Sequence, residues 1–159
     1  MLRGVQFREA KNSDADAMVL CREGDPTDPR MKAYFEGHHH PGQALPERVG
    51  YVATIDDAVI GYIAGHRTTR HGCDGELQYL FVAAAYRRQQ IAATLLRSLA
   101  HWFSQQGARK ICVAIAADSP PEAKPFVETL GATPLKNNWY AWQNIEDLTP
   151  VRQRAAAGE

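Results

Sequence analysis

The sequence of 159 residues lacks an excess of either charge, a long apolar run and an even set of cysteines. Lysine plus arginine equals aspartate plus glutamate at 18 each, whereas a dedicated nucleic-acid-binding protein needs a basic excess. No apolar run is long enough to span a bilayer, and no signal peptide is visible at the start. We therefore expect neither a nucleic-acid partner nor a membrane partner.

Cysteine is scarce, and Cys21, Cys73 and Cys112 are far apart in the sequence. An odd, scattered set of this kind predicts free thiols in a reducing cytoplasm. The length is sufficient for one domain with a core, and 45% apolar and 23% charged residues are typical of globular proteins. We expect a single domain over residues 1–147 and a C-terminal tail over residues 148–159.

Hydrophobic periodicity predicts a mixture of strands and helices. The predicted order is a strand, two helices, a meander of three strands, a helix, a strand, a helix and two final strands. This order indicates an α+β fold with a mixed, mostly antiparallel sheet flanked by helices on both faces. The strands are expected at residues 5–9, 49–55, 58–68, 76–82, 110–116, 134–135 and 139–145.

The most informative stretch covers residues 75–106. Residues 76–82 are β-branched, aromatic and apolar, which predicts a strand, and apolar residues recur at helical spacing from Ile91 onward. The short turn between them carries Arg87 and Arg88, and a cation pair is unfavourable at a helix N-terminus. A bound anion would remove this conflict, because free backbone N–H groups and both guanidiniums would point at it. We therefore predict an anion site at this turn.

This junction resembles the acetyl-CoA loop of the GNAT superfamily of N-acetyltransferases. The family pattern is Arg/Gln-x-x-Gly-x-Gly/Ala after a strand ending in Val, and residues 87–92 are Arg-Arg-Gln-Gln-Ile-Ala. Residues 123–132 resemble the family's late helix, and the element order is that of the GNAT-like acyl-CoA N-acyltransferase fold. Three positions depart from the family: Gln90 replaces the first Gly, Pro120 an Asn that often contacts the cofactor, and Val127 the usual acid Tyr.

The resemblance implies an N-acetyltransferase that uses acetyl-CoA as co-substrate. The acetyl group would pass to a primary amine of a small molecule or peptide by direct attack. Glu76 lies six residues before Val82, where many family members carry the catalytic base. A base matters because an amine with a pKa of ~10.4 is neutral in about one molecule in a thousand at pH 7. The resemblance implies that a backbone N–H of the strand residues Leu80, Phe81 and Val82 would meet the oxyanion. The N–H groups of Arg88, Gln89, Gln90, Ile91, Ala92 and Ala93 would meet the diphosphate, with the guanidinium of Arg87, Arg88 or both nearby.

A substitute for the missing acid is sought among the tyrosines. Tyr140 is the candidate, because Tyr79 is expected to face away from Glu76 across an odd number of strand positions. The need for an acid is small, since a thiol with a pKa of ~8.5 already leaves readily as its thiolate. Hydrogen bonding by the Gln90 N–H can persist if its φ is helical and its side chain turns to solvent, so Gln90→Gly is expected to change cofactor affinity little.

The three histidines His38, His39 and His40 leave several interpretations open. His38 and His40 point the same way in an extended chain, and His66 or His71 would supply a third metal ligand. Adjacent histidines without a Cys or carboxylate at ligand spacing are a weak signal, so we expect no metal. The alternatives are a position at the rim of the acceptor site or plain surface.

Two further alternatives also stay open. Gln90, Pro120 and Val127 favour a catalytically weakened CoA-binding sensor or partner subunit over an active enzyme. The final strand pair, with aromatic residues between 139 and 142, predicts an exposed apolar edge and hence a homodimer.

The anion site can be tested by charge reversal. Replacing Arg87 and Arg88 together by glutamate should weaken acetyl-CoA binding more than tenfold, or about 1.4 kcal/mol. Titration calorimetry measures the affinity, and an unchanged dissociation constant would eliminate the site.

Overall fold

The computed structural model describes residues 4–21, 30–87, 90–117 and 119–148. Arg88, Gln89 and all but the first residue of the expected tail lie outside the described residues. The strands are β1 Gln6–Glu9, β2 Ala44–Ile55, β3 Ala58–Thr68, β4 Gly75–Val82, β5 Ile111–Ala114, β6 Thr133–Lys136 and β7 Trp139–Trp142. The helices are α1 Ala15–Cys21, α2 Arg30–Phe35, α3 Ile91–Gln105 and α4 Ala123–Thr129.

The described strands form one sheet in the order β1-β2-β3-β4-β5-β7-β6. Strands β4 and β5 run parallel, and the other five neighbouring pairs are antiparallel. The mixed, mostly antiparallel sheet of the α+β prediction is thereby confirmed. Strand β2 begins at Ala44, five residues earlier than predicted, because the register with β3 shifts between Ala44 and Arg48 and accommodates Pro46 there.

Helices cover both faces of the sheet, as predicted. Helices α1 and α2 pack against a small cluster built from Met18, Val19, Met31, Val52 and Tyr62. Helices α3 and α4 pack against a larger cluster on the opposite face. Within the part of the chain that the structure describes, no helix is long and apolar enough to cross a membrane.

Helix α3 forms because its apolar residues repeat every four positions. Ile91, Leu95, Leu99 and Phe103 are all fully buried against the sheet. The helix ends where Gly107 takes a φ of 77°, and the Ala108 N–H returns to the Phe103 carbonyl. This left-handed glycine closes the helix C-terminus without the clash that a side chain would introduce there.

The aromatic strand β7 does not form the sheet edge. Strand β6 lies outside it, carries Pro134 and is largely exposed. On β7, Trp142 is buried and Trp139 and Tyr140 are half-buried. Among the described residues, the large apolar side chain that is exposed is Leu20, on α1. The prediction of an exposed apolar edge is wrong, because β6 covers one side of β7 and β5 the other. Homodimer formation itself stays a prediction.

Glycines in the sheet set how closely α3 approaches. A Cβ atom at Gly75 would lie 2.8 Å from Phe103 Cδ1 and 2.9 Å from Ile111 Cδ1, and closer still to Phe103 Cε1. A Cβ atom at Gly65 would lie 3.1 Å from both methyl carbons of Leu99. The absence of side chains at these positions therefore lets the helix pack directly on the backbone of β3 and β4.

We expect Gly75→Ala to lower the free energy of unfolding by ~1–3 kcal/mol, because its methyl group overpacks against the Phe103 ring. Urea denaturation measures the change. In a Phe103→Leu background the ring is absent, so Gly75→Ala should lower the free energy of unfolding by a smaller amount. Equal costs in the two backgrounds would show that the ring is not the obstacle.

Candidate active site

A gap opens between the two central strands. Residues 75–77 of β4 pair with residues 111–113 of β5, and beyond Leu77 strand β4 continues against β3 alone. The closed end of the gap is fastened by Asp74, whose carboxylate accepts the N–H groups of Arg109 (2.9 Å) and Lys110 (3.0 Å). The bond from Lys110, followed by that from Arg109, lowers the pKa of Asp74 below its ordinary value.

A β-bulge marks the point at which β4 leaves β5. Ala64 pairs with Tyr79 and Gly65 with Leu77, so Gln78 is an extra residue in the ladder. The bulge resets the alternation of side chains along β4. The expectation that Tyr79 faces away from Glu76 is therefore wrong. Tyr79 packs with the smaller cluster, and its ring lies 5.5 Å from that of Tyr34, on the same face of the sheet as Glu76.

Backbone N–H groups of β4 line the gap. The Ala83 N–H donates to the Ile60 carbonyl at 2.8 Å. Hydrogen-bonded and non-bonded pairs alternate in an antiparallel ladder, so Phe81 and Tyr62, two positions along, also form a bonded pair. The N–H groups of Leu80 and Val82 therefore point away from β3 and toward the gap. Of the three predicted oxyanion donors, Phe81 is the one whose N–H is turned toward β3.

The first turn of α3 offers unpaired donors at the open end of the gap. Gln90 precedes the helix, its carbonyl accepts from the Thr94 N–H and Oγ1, and no side chain among the described residues caps the helix. The N–H groups of Ile91, Ala92 and Ala93 have no acceptor within the helix. This end of the helix is suited to an anion.

Gln90 adopts a left-handed conformation, with φ 63° and ψ 15°. The prediction that Gln90→Gly changes cofactor affinity little assumed a helical φ at Gln90, and this condition is not met. Glycine is favoured at such a position because it has no Cβ to crowd the neighbouring carbonyl. The chain thus keeps the backbone conformation of the glycine it lacks, at a cost in stability.

Arg87 lies across the outer end of the gap. Its Nε donates to the Val82 carbonyl at 2.8 Å, and its Nη1 is 3.4 Å from Glu122 Oε1, just before α4. Both partners of the ion pair are well exposed, so the pair itself contributes little stability. An incoming anion therefore competes with only a weak carboxylate contact for Arg87 Nη1, while Nε keeps its bond to the Val82 carbonyl.

Glu76 is buried at the closed end of the gap, with 5% of its surface exposed. Its Oε1 accepts a hydrogen bond from Arg70 Nε at 3.1 Å and lies 3.6 Å from His66 Nε2. Arg70 also donates from Nη2 to the Gly42 carbonyl at 2.8 Å and sits over the Trp139 ring. The carboxylate is thus held at a fixed position by side chains from β3 and from the turn before β4.

The histidines are engaged in separate contacts. His40 Nδ1 is 2.8 Å from Arg48 Nη2, His38 Nδ1 is 3.8 Å from Glu36, and the His71 ring stacks edge-on against Trp139. His66 is buried against Tyr34. No group of three or more His, Cys, Asp or Glu side chains with metal-site geometry occurs in the described ranges. Because Gly42 and Gln43 bond to Arg70 and Thr69, the histidine loop borders the Arg70 side of the site.

Tyr140 is not brought together with Glu76. It stands on β7 opposite Val113, and both pack with the larger cluster under α3. Glu76 lies on the other face, with Tyr34 and His66. Val127 is a buried member of the larger cluster and Pro120 is exposed.

Sequence patterns did not place Tyr34, His66 and Arg70 together around Glu76. A signal existed for His66, because it falls on the same side of β3 as Tyr62 and Ala64, a side that is mostly apolar. Helix α2 has six residues, too few for a clear period, and Arg70 lies in a turn. Tyr34, on α2, and Arg70 therefore had no signal in the sequence that joins them to the site.

All three cysteines are free thiols, as predicted. Cys73 and Cys112, distant in sequence, hydrogen-bond to each other in the interior, and burial raises the pKa of both thiols.

Comparisons with known proteins agree with this geometry. Residues 15–132 match the family model described as Acetyltransferase (GNAT) family. The fold is similar to a GNAT-family acetyltransferase from Staphylococcus aureus Mu50, with a TM-score of 0.67 and 16% identity over 89% of this chain and 99% of that one. It is also similar to aminoglycoside 6'-acetyltransferase type Ii, with a TM-score of 0.67 and 19% identity over 88% of this chain and 97% of that one.

A further similar structure is the PaiA N-acetyltransferase from Thermoplasma acidophilum in complex with coenzyme A. Its TM-score is 0.57 and its identity 13%, over 86% of this chain and 96% of that one. No curated protein sequence is a match. At these identities the structural likenesses establish the fold alone.

We expect Gln90→Gly to raise the free energy of unfolding by about 0.5–1 kcal/mol, because relief of the left-handed strain exceeds the entropic cost of glycine. Gln90→Ala is the matched control: it keeps a Cβ at positive φ and should bring no gain. Urea denaturation of the three proteins measures the order. Equal stabilisation by glycine and alanine would show that the glutamine side chain, not the backbone, is the source of strain.

Proposed function

Because the chain belongs to the GNAT acetyltransferase family, we propose that it transfers an acetyl group from acetyl-CoA to a primary amine of a small molecule or peptide by direct attack. Family membership supports acetyl transfer in general, and the amine class and the direct route are proposals. Similar folds occur in an aminoglycoside 6'-acetyltransferase and in an N-acetyltransferase solved with coenzyme A. The first supports a small-molecule amine as acceptor and the second supports coenzyme A as carrier.

One arrangement carries the proposal: a buried carboxylate and an uncapped helix N-terminus stand at the two ends of the same gap. Glu76 lies at the closed end, and Ile91 begins α3 beyond the open end. Residues 76–82 span about 20 Å of extended strand. An extended cofactor would therefore place its diphosphate on the helix and its thioester toward Glu76.

The bound cofactor would be held by backbone more than by side chains. The N–H groups of Ile91, Ala92 and Ala93 meet the diphosphate, with Arg87 released from Glu122 to join them. The N–H groups of Leu80 and Val82 face the gap and would donate to the carbonyl oxygen as its charge develops. Gln90 supports this arrangement through its backbone conformation. Arg88 and Gln89 stay proposed members of the site.

Glu76 acts as general base in this proposal. It receives a proton from the acceptor ammonium, directly or through a water, and so supplies the neutral amine that attacks the thioester carbon. The tetrahedral intermediate then expels the thiolate as the C–S bond breaks, and the extra proton on the attacking nitrogen passes to that thiolate or to water. The proposed acid Tyr140 packs on the other face of the sheet, and a thiolate leaving group needs little protonation. We therefore expect the base to dominate the rate.

The alternative proposal is a CoA-binding sensor or partner subunit with weakened catalysis. Val127 supports it, because a buried valine cannot donate a proton to the leaving sulfur. The two proposals differ in turnover and agree in binding. An amine screen with free-thiol detection therefore separates them: acetyl-CoA binding without turnover on any amine would favour the sensor.

Cytoplasmic location and homodimer formation also stay proposals. The three free thiols support a reducing compartment. Light scattering across protein concentration tests the dimer.

We expect Glu76→Gln to lower kcat by ~10²–10⁴-fold while the dissociation constant of acetyl-CoA stays unchanged, because the amide keeps the shape and cannot accept the proton. Tyr140→Phe is the comparison and should change kcat far less. Steady-state kinetics and calorimetry give the two readouts. A hundredfold loss in folded Tyr140→Phe would show that an acid from β7 is used after all.

A further inference from the structure

Behind Glu76 lies a buried polar chain that the proposed reaction does not use. His66 and Tyr34 are both fully buried. The Tyr34 hydroxyl is 2.9 Å from His66 Nδ1, and His66 Nε2 is 3.6 Å from Glu76 Oε1. Burying an imidazole and a phenol at the base of a sheet is unfavourable unless their polar atoms are satisfied. His66 Nε2 has no partner at hydrogen-bond distance among the described residues.

The strands fix which atoms face each other. His66 of β3 and Glu76 of β4 are directly opposite in the antiparallel register, so their side chains lie side by side on one face. Tyr34 comes from α2, which covers that face, and its ring packs edge-on against both His66 and Tyr79. The imidazole is therefore fixed between a phenol on one side and a carboxylate on the other.

The contacts select one tautomer of His66. Burial raises the pKa of Tyr34 far above its ordinary value, so its hydroxyl keeps its proton. If Nδ1 carried the imidazole hydrogen, the lone pair of Nε2 would face a carboxylate oxygen. If the Tyr34 hydroxyl instead donates to Nδ1, the hydrogen sits on Nε2 and points at Glu76 Oε1, which is the favourable arrangement.

Two donors then converge on a single carboxylate oxygen. Arg70 Nε and His66 Nε2 both approach Oε1 of Glu76. The charged and titratable groups around His66 include Tyr34 from α2, Arg48 opposite it on β2, Glu76 and Tyr79 on β4 and Arg70 from the turn before β4. Holding Oε1 from two sides orients the carboxylate and directs Oε2 to receive the proton.

We propose that His66 is a positioning residue for Glu76, fixed by Tyr34 in the tautomer that carries its hydrogen on Nε2. The inference rests on the proposed function of Glu76 as the base. His66 touches neither the acceptor nor the cofactor in this scheme. It acts on the rate by keeping the carboxylate in one orientation, the role that supporting hydrogen bonds play behind catalytic groups.

The kinetic test compares two substitutions of similar size. His66→Leu removes the N–H that faces Glu76 Oε1 at 3.6 Å. It should lower kcat ~tenfold or more, the factor that a donor to a charged group contributes once the contact shortens to a hydrogen bond in the substrate complex, with little change in KM for acetyl-CoA. His66→Gln presents an amide N–H near the position of Nε2 and should recover most of the rate. His101→Leu, an exposed histidine on α3, is the matched control and should match the wild type.

The tautomer provides a readout that does not depend on turnover. Long-range ¹H–¹⁵N correlation spectra distinguish Nε2–H from Nδ1–H histidines, and His66 should show the form with its hydrogen on Nε2. Tyr34→Phe removes the hydroxyl that fixes the ring and should introduce the Nδ1–H form. This variant also serves if His66→Leu does not fold.

The outcomes separate the inference from the proposed function. If the wild-type protein is active and the folded His66→Leu variant has the same kcat, the positioning role is overturned. A His66 spectrum of the Nδ1–H form would overturn it as well, with or without turnover. If the wild type acetylates no amine, the proposed function fails, and the Nε2–H form, lost in Tyr34→Phe, would still support the positioning of Glu76.

Discussion

The early end of the β4–β5 pairing is the constraint on which the site depends. The parallel ladder joins residues 75–77 to residues 111–113, after which the Gln78 bulge turns β4 away while its antiparallel ladder with β3 continues. A bulge adds one residue to one strand and increases local twist. The edge of β4 exposed in this way has N–H groups at Leu80 and Val82 without strand partners. An open edge in the middle of a sheet would be a liability unless a ligand occupied it.

The two faces of the sheet differ in the residues that they bury. The face under α3 is an uninterrupted apolar cluster, packed closely because Gly65 and Gly75 carry no side chain there. The face under α2 has a smaller cluster and holds the buried polar groups Tyr34, His66 and Glu76. Buried polar groups are unfavourable unless paired, so the stability of the larger face offsets what the smaller face costs. The two faces belong to the same strands, so the packing of the larger face can compensate for the buried polar groups of the smaller face.

The fold and the anion-binding part of the candidate site were predictable from periodicity in the sequence. The apolar run in residues 58–68 and the fourfold spacing from Ile91 to Phe103 predict their elements, and a strand followed by a turn and a helix predicts an anion site. Register does not follow, because the partner of a strand residue depends on long-range pairing and a single bulge reverses the faces beyond it. The pairing of His66 with Glu76 and the placement of Tyr79 therefore needed the structure. The left-handed φ of Gln90 was equally hidden, since glutamine gives no local sign of it.

The three departures from the family pattern differ in physical kind. Gln90 replaces glycine and keeps both the backbone conformation and the N–H group, so the loss falls on stability and not on chemistry. Pro120 is exposed and its carbonyl accepts the Ala123 N–H just before α4, so it removes a side-chain amide while retaining the turn. Val127 alone removes a proton donor, and it does so from within the apolar cluster. Because a thiolate is a good leaving group, that loss affects the step least in need of an acid, whereas Glu76, the proposed base, keeps its hydrogen bond from Arg70 and lies beside His66. Taken together, these effects support the proposal of a working acetyltransferase more than that of a cofactor sensor.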